Sequence, residues 1–255
     1  MAVASLTFEP VITQNVERLK AKVAATVRLL HMEGIVNYSG HVSARLPDNS
    51  GFVIQPYVES RVTLKAEHLL TLDFDLKRLP GSRQEEMPIE TRIHSQIYKA
   101  RPDVQSVVHT HSELAAAFTL ADARLLPMKG HAARWSSGIP THMDPSHIKS
   151  EQQGRELAET LGPHHAALLR AHGGICVAES VEGVLIDAVH FEENAKAQVQ
   201  ALAIGPLKPL TDEELELLIS RNNRVQHIGK LWRYYVNKGL GEGAIESAEG
   251  LLGDY

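Results

Sequence analysis

The chain has 255 residues, enough for one sizeable core, and its 43% hydrophobic and 22% charged residues are an ordinary globular composition. A net charge of −5 gives no basic footprint for nucleic acid or a membrane surface, and no apolar run approaches the ~18 residues of a membrane span. The single cysteine, Cys176, lies in the apolar run Gly174-Ile175-Cys176-Val177; it excludes an intrachain disulfide framework and fits a reducing, cytoplasmic setting.

No signal peptide is read in Met1–Pro10. Apolar residues at Val16, Leu19, Val23, Val27 and Leu30 predict a helix to Met32, with Gly34 as its C-cap. His41 to Leu46 alternates, with His41, Ser43 and Arg45 on one face and Val42, Ala44 and Leu46 on the other. After the turn at 47–51, Phe52-Val53-Ile54 is the partner strand of a hairpin. Ser43 and Arg45 are either a solvated strand face or the polar wall of a pocket. A helical turn and a strand over 70–75 follow. Pro88 then opens a helix to about Ala100, its face marked by Ile89, Ile93 and Ile97. Glu90 falls in the first turn, where the helix dipole favours a negative charge, and His94 is expected to be partly exposed.

Val107-Val108-His109-Thr110-His111 reads as a strand that places two imidazoles on one face about 7 Å apart. Such a pair can converge on one ion at about 2.1 Å per bond, although polar strand ends also occur without one. An Ala-rich helix over 113–121 comes next. The 131–144 stretch reads as a loop holding His131, Arg134, Trp135 and His142, with His147 just beyond. Ile148–Leu161 is a helix closed by Gly162-Pro163. Two strands, 166–170 and 174–178, flank a tight turn carrying His172, with glycines that let backbones approach closely. Val181–Ile204 is the longest predicted helix. The Thr211/Glu214 capping box starts another toward Leu231. One domain is expected over 1–238, and residues 239–255 are expected to form a mobile tail or an arm on a neighbouring subunit.

Four blocks occur together in order: Glu90-x-x-x-His94, Ile97-Tyr98-x-x-Arg101-Pro102-Asp103-Val104, Val107-Val108-His109-Thr110-His111-Ser112 and Leu169-Arg170-Ala171-His172-Gly173. They resemble the class II aldolase/adducin superfamily from about Val16 to Gly205. The resemblance implies an α/β fold, a three-layer α/β/α sandwich around a mainly antiparallel sheet, commonly a homotetramer. It also implies one divalent metal ion (Zn, Mn, Mg, Co or Fe) held by His109, His111, His172 and Glu90, with Glu90 also the catalytic acid/base.

The departures from the resemblance are specific. Where sugar-phosphate members seat a phosphate, this chain has Gly40-His41, Gln55-Pro56-Tyr57-Val58 and Pro88-Ile89. Bulky Tyr57 and Ile89, and Pro88 without an N–H, make a poor phosphate cradle. Gly40-His41-Val42-Ser43-x-Arg45 and Phe191-Glu192-x-Asn194-Ala195-Lys196 are similar to the superfamily's decarboxylase branch. That similarity implies decarboxylation of a non-phosphorylated, hydroxylated aromatic or heteroaromatic carboxylate through a metal-stabilised enolate. Expected substrate contacts are His41, Ser43, Arg45, Tyr57, Arg92 and Arg134, the arginines pairing with a second carboxylate. The alternatives are a class II aldolase or epimerase of a sugar or sugar phosphate, and a non-enzymatic adducin-like interaction protein.

Overall fold

The computed structural model describes residues 9–121 and 123–252. A seven-stranded sheet divides the molecule, in the order β3-β2-β1-β4-β7-β6-β5. The strands are β1 (His41–Arg45), β2 (Phe52–Ile54), β3 (Leu70–Leu72), β4 (Ser106–Thr110), β5 (Thr141–His142), β6 (Ala166–Leu169) and β7 (Gly173–Ala178). Every pairing is antiparallel except β5 with β6.

Period-two alternation sends each strand's side chains to opposite faces, and each face has its own apolar core. Val42, Ala44, Val108, Leu168 and Cys176 pack with α1 (Glu9–Met32), α5 (Val181–Ile204) and the C-terminal helix α7 (Arg224–Gly241). Phe52, Val107, Leu169, Ile175 and Val177 pack with α2 (Thr91–Ala100) and α4 (Glu151–Leu161). The result is the expected three-layer α/β/α arrangement. Two shorter helices, α3 (Glu113–Leu120) and α6 (Asp212–Arg221), complete the set among the described residues.

Several boundaries differ from the sequence reading. The α2 helix starts at Thr91, so Pro88 precedes it and Glu90 is its N-cap rather than a first-turn residue. The helix expected over 212–231 is two helices. Asn222 ends α6 in an extended conformation, and Asn223 caps α7 by accepting from the Gln226 amide. The expected 131–144 loop contains a 3-10 turn, Gly130–Trp135, and the short β5 strand.

The tail expected to be mobile, or to reach another subunit, packs on this chain as far as it is described. Ile245 and Leu251 are buried in the α1 core, and Trp232 Nε1 donates to the Leu251 carbonyl. Apolar residues spaced along a Gly- and Glu-rich segment were enough to dock it. Residues 253–255 lie outside the described residues, as does most of the Met1–Pro10 stretch. No described helix is long and apolar enough to cross a membrane.

Candidate metal centre

Four side chains from three elements meet at one end of β4. Glu90 comes from the α2 N-cap, His109 and His111 from the end of β4, and His172 from the turn between β6 and β7. The strand period turns His109 and His111 to the same side. His172 joins them because Gly173 lies flat against the β4 terminus: a Cβ there would stand 2.1 Å from the Thr110 carbonyl oxygen. The turn is tight enough to put Ala171 at φ +54, in the left-handed region.

Glu90 Oε2 lies 3.5, 4.0 and 3.4 Å from Nε2 of His109, His111 and His172. His111 Nε2 and His172 Nε2 are 3.1 Å apart. Donor atoms sharing one ion at about 2.1 Å sit roughly 3–3.5 Å from each other; the Glu90–His109, Glu90–His172 and His111–His172 spacings fall in that range, and Glu90–His111 is wider at 4.0 Å. His109 Nε2 is buried with no hydrogen-bond partner among the described residues, while its Nδ1 donates to the Gly174 carbonyl at 3.1 Å. That bond leaves a lone pair on Nε2, aimed at the cluster. Glu90 Oε1 is held by the Ile148 amide at 3.0 Å, so Oε2 alone faces the histidines. Three imidazole nitrogens and one carboxylate oxygen are a suitable donor set for a divalent ion.

Burial pushes the Glu90 carboxyl upward, but contacts with His109 and His172 and the Ile148 amide outweigh it and hold the group well below the usual range. Burial, then His109 and His172, lowers His111 to about 4. The carboxylate is therefore anionic and that imidazole neutral, the forms a metal ion needs. His147 Nδ1 stands 3.5 Å from Glu90 Oε2 on a mostly exposed side chain. Sequence pattern placed His147 only within a polar stretch, because no periodicity marks a lone loop residue.

The remaining expected contacts divide. The His41 ring centroid lies 5.0 Å from that of His109, beside the cluster. Ser43 is fully buried one layer behind it, bonded to His94 and Tyr98. His94 is itself fully buried, not partly exposed, because β1 covers its face of α2. Tyr57 is half-exposed and acts electrostatically on Arg61.

Arg45 and Arg134 are committed to other partners. Arg45 spends its guanidinium on the carbonyls of Tyr98, Arg101 and Val104, closing the C-terminal end of α2. Arg134 bonds Asp187 and Glu179 in a network shared with Arg224. Arg92 acts on Asp75, whose carboxyl is held low first by Lys99. Gln55, in the loop where a phosphate turn was sought, is buried and spans β1, accepting from the Val42 amide and donating to the Gly40 carbonyl. Arg61, which sequence reading passed over, donates to that same carbonyl. Asn194 and Glu192 of the α5 motif are likewise committed: Asn194 to the amides of Met128 and Lys129, Glu192 to the Ser112 hydroxyl.

A sheet of this topology with a buried three-histidine, one-glutamate cluster at a strand end is consistent with an α/β protein built around a divalent-metal site. Residues 21–199 match the Class II Aldolase and Adducin N-terminal domain, and the chain belongs to that family. A 3,4-dihydroxyphthalate decarboxylase of Arthrobacter keyseri is 26% identical over 205 residues, covering 76% of this chain and 83% of the relative. The crystal structure of an aldolase II superfamily protein from Pseudomonas syringae aligns with a TM-score of 0.76 at 23% identity, over 89% of this chain and 94% of that one. L-fuculose 1-phosphate aldolase from Glaciozyma antarctica aligns with a TM-score of 0.72 at 20% identity, over 86% of each chain. At those identities the two structures share the fold and carry no argument about activity.

Proposed function

We propose that this protein is a divalent-metal-dependent carbon–carbon lyase that decarboxylates a non-phosphorylated, hydroxylated aromatic or heteroaromatic carboxylate. The observation that carries the reading is the convergence of Glu90 Oε2 on Nε2 of His109, His111 and His172. A divalent ion bound there supplies Lewis-acid stabilisation of the negative charge that grows on a substrate oxygen as the carbon–carbon bond breaks.

This chain's own residues provide the rest. As carbon dioxide leaves, its bonding electron pair stays on the ring carbon, and that carbon then takes a proton. Glu90 is placed to hold that proton once an arriving substrate displaces Oε2 from the histidine cluster, while Oε1 stays anchored by the Ile148 amide. An anionic substrate arriving beside Glu90 disfavours the second negative charge and raises the carboxyl's affinity for a proton. His41 lies next to His109, where a ring substituent can reach it. His147, mostly exposed, stands with Nδ1 3.5 Å from Glu90 Oε2.

The residues at the positions where sugar-phosphate members seat a phosphate support a substrate without one. The side chain of Gln55 is consumed in bracing β1, and the bulky Tyr57 and Ile89 and the N–H-less Pro88 stand in place of small phosphate-binding residues. The relative that decarboxylates 3,4-dihydroxyphthalate supports the reaction type.

The test is a product assay on metal-loaded protein. With 3,4-dihydroxyphthalate and related hydroxybenzoates, carbon dioxide release is expected. With L-fuculose 1-phosphate, no aldehyde is expected. Aldehyde release from the sugar phosphate, together with silence on every aromatic acid, would replace decarboxylation by aldol cleavage.

A further inference from the structure

Behind His41 runs a chain of short hydrogen bonds that reaches into the layer between β1 and α2. His41 Nδ1 and His94 Nε2 are 2.6 Å apart, His94 Nδ1 and Ser43 Oγ 2.6 Å, and Ser43 Oγ and the Tyr98 hydroxyl 2.7 Å. His94, Ser43 and Tyr98 are sealed from solvent, and His41 is 5% exposed. We propose that His94, Ser43 and Tyr98 are positioning residues that fix His41 as its Nε2–H tautomer, so that it offers a donor, never a lone pair, to whatever binds beside His109. The proposal rests on the lyase reading only in placing a substrate at His41.

The direction of the chain follows from its inner end. Besides Ser43 Oγ, the groups acting on the Tyr98 phenol are the Val107 amide and the Arg45 guanidinium, and both are donors. Burial also pushes the phenol up, so it keeps its proton. Ser43 Oγ is the one acceptor bonded to it among the described residues, and Tyr98 must donate there. Ser43 has a single hydrogen and gives it to His94 Nδ1. An imidazole that accepts at Nδ1 and is neutral carries its proton on Nε2. His94 therefore donates to His41 Nδ1, and His41 in turn holds its proton on Nε2. Both rings are neutral because imidazolium in so buried a place is costly, and a nearby divalent ion would only add to that cost.

Two consequences are chemical. His41 is a fourth imidazole at the site, with its ring 5.0 Å from His109, yet a protonated Nε2 has no lone pair to compete for the ion. A fixed N–H also selects the partner: an anionic oxygen, such as a phenolate or carboxylate, is welcomed, whereas an ammonium group finds no acceptor. Arg45, two residues along the same strand face from Ser43, completes the device by donating to the Tyr98 carbonyl and stacking over its ring at 4.9 Å.

Neutron diffraction from zinc-loaded crystals of the whole protein, exchanged into heavy water, reads the proposal directly. Deuterium is expected on Nε2 of both His41 and His94 and on Nδ1 of neither. Deuterium on His41 Nδ1, or on both its nitrogens, would overturn it. Tyr98→Phe removes the group that sets the direction. This variant should populate both His41 tautomers and bind 3,4-dihydroxybenzoate about five- to tenfold more weakly, the scale of one hydrogen bond, at unchanged zinc content. Unchanged affinity with the Nε2 deuteron retained in that variant would also overturn the proposal. If the zinc site stays empty, or the native protein ignores the probe, the lyase reading fails, while the deuterium positions still decide the tautomer.

Discussion

At the scale of single residues, the cluster separates ligands from supports. His109→Ala removes a buried nitrogen that has no hydrogen-bond partner among the described residues. Metal content measured after dialysis should fall far below one ion per chain, while circular dichroism stays native because the two cores lie elsewhere. Full stoichiometric metal in that variant would mean the ligand set is misassigned. Glu90→Gln keeps a neutral oxygen donor and the bond from Ile148, so metal should remain while kcat drops by about 100-fold or more, the usual scale for an acid/base group. Normal turnover with metal bound would remove Glu90 from that role. Arg45→Met strands three carbonyls at the end of α2. We expect a loss of about 2–4 kcal/mol in denaturant unfolding. The four-residue cluster was legible because H-x-H on a β-branched strand has a defined geometry and Glu90 and His172 stood in matching blocks. Arg45 was not: period two puts it on the face of His41, but its length carries the guanidinium under α2, which alternation does not encode.

At the scale of elements, the close approach of Gly173 to β4 brings His172 into the cluster. Gly173→Ala introduces a Cβ 2.1 Å from the Thr110 carbonyl oxygen and 2.9 Å from the His111 Cα, both backbone. The turn has to lift away, and His172 moves with it relative to His111. Metal affinity, read by competition with a chromophoric chelator, should weaken at least about tenfold although no ligand has changed. An unaltered affinity would show that the turn has slack. Strong periodicity located the long helices and most strands, and the capping box fixed the start of α6. It could not show the break before α7, because Val225 to Leu231 continues the apolar spacing and only the Asn222-Asn223 pair marks the stop. The 3-10 turn and two-residue β5 are too short to carry any period, so their place was set by packing. His94 was misjudged for a related reason: the apolar spacing marks one face of α2, while β1 buries a second.

At the scale of the whole molecule, burial of neutral imidazoles couples stability to pH. His94 and His190 are brought down to about 3, and His131 and His165 to about 4, in each case first by burial. A histidine whose folded pKa lies below its ordinary 6.5 stabilises the fold above that pH and loses the contribution as pH falls through the window beneath it. In that window the unfolded chain binds more protons. Thermal melts of metal-free protein should therefore shift downward steadily as pH drops from 6.5 toward about 4. A flat profile over that range would show that these rings stay accessible. The docking of the last described residues has a further consequence, in the order of synthesis. The α1 helix leaves the ribosome before the elements that cover it, and Val23, Val27 and Leu30 are buried in a core completed by α5, α7, Ile245 and Leu251. The nascent chain must carry that apolar face uncovered while most of the remaining sequence is made, the circumstance in which a chaperone holds a chain or aggregation claims it. Stopping translation after Lys238 leaves α5 and α7 on that face but removes two of its buried anchors, Ile245 and Leu251, worth about 1.5–3 kcal/mol each, and a larger share of the shortened product should accumulate in the insoluble fraction.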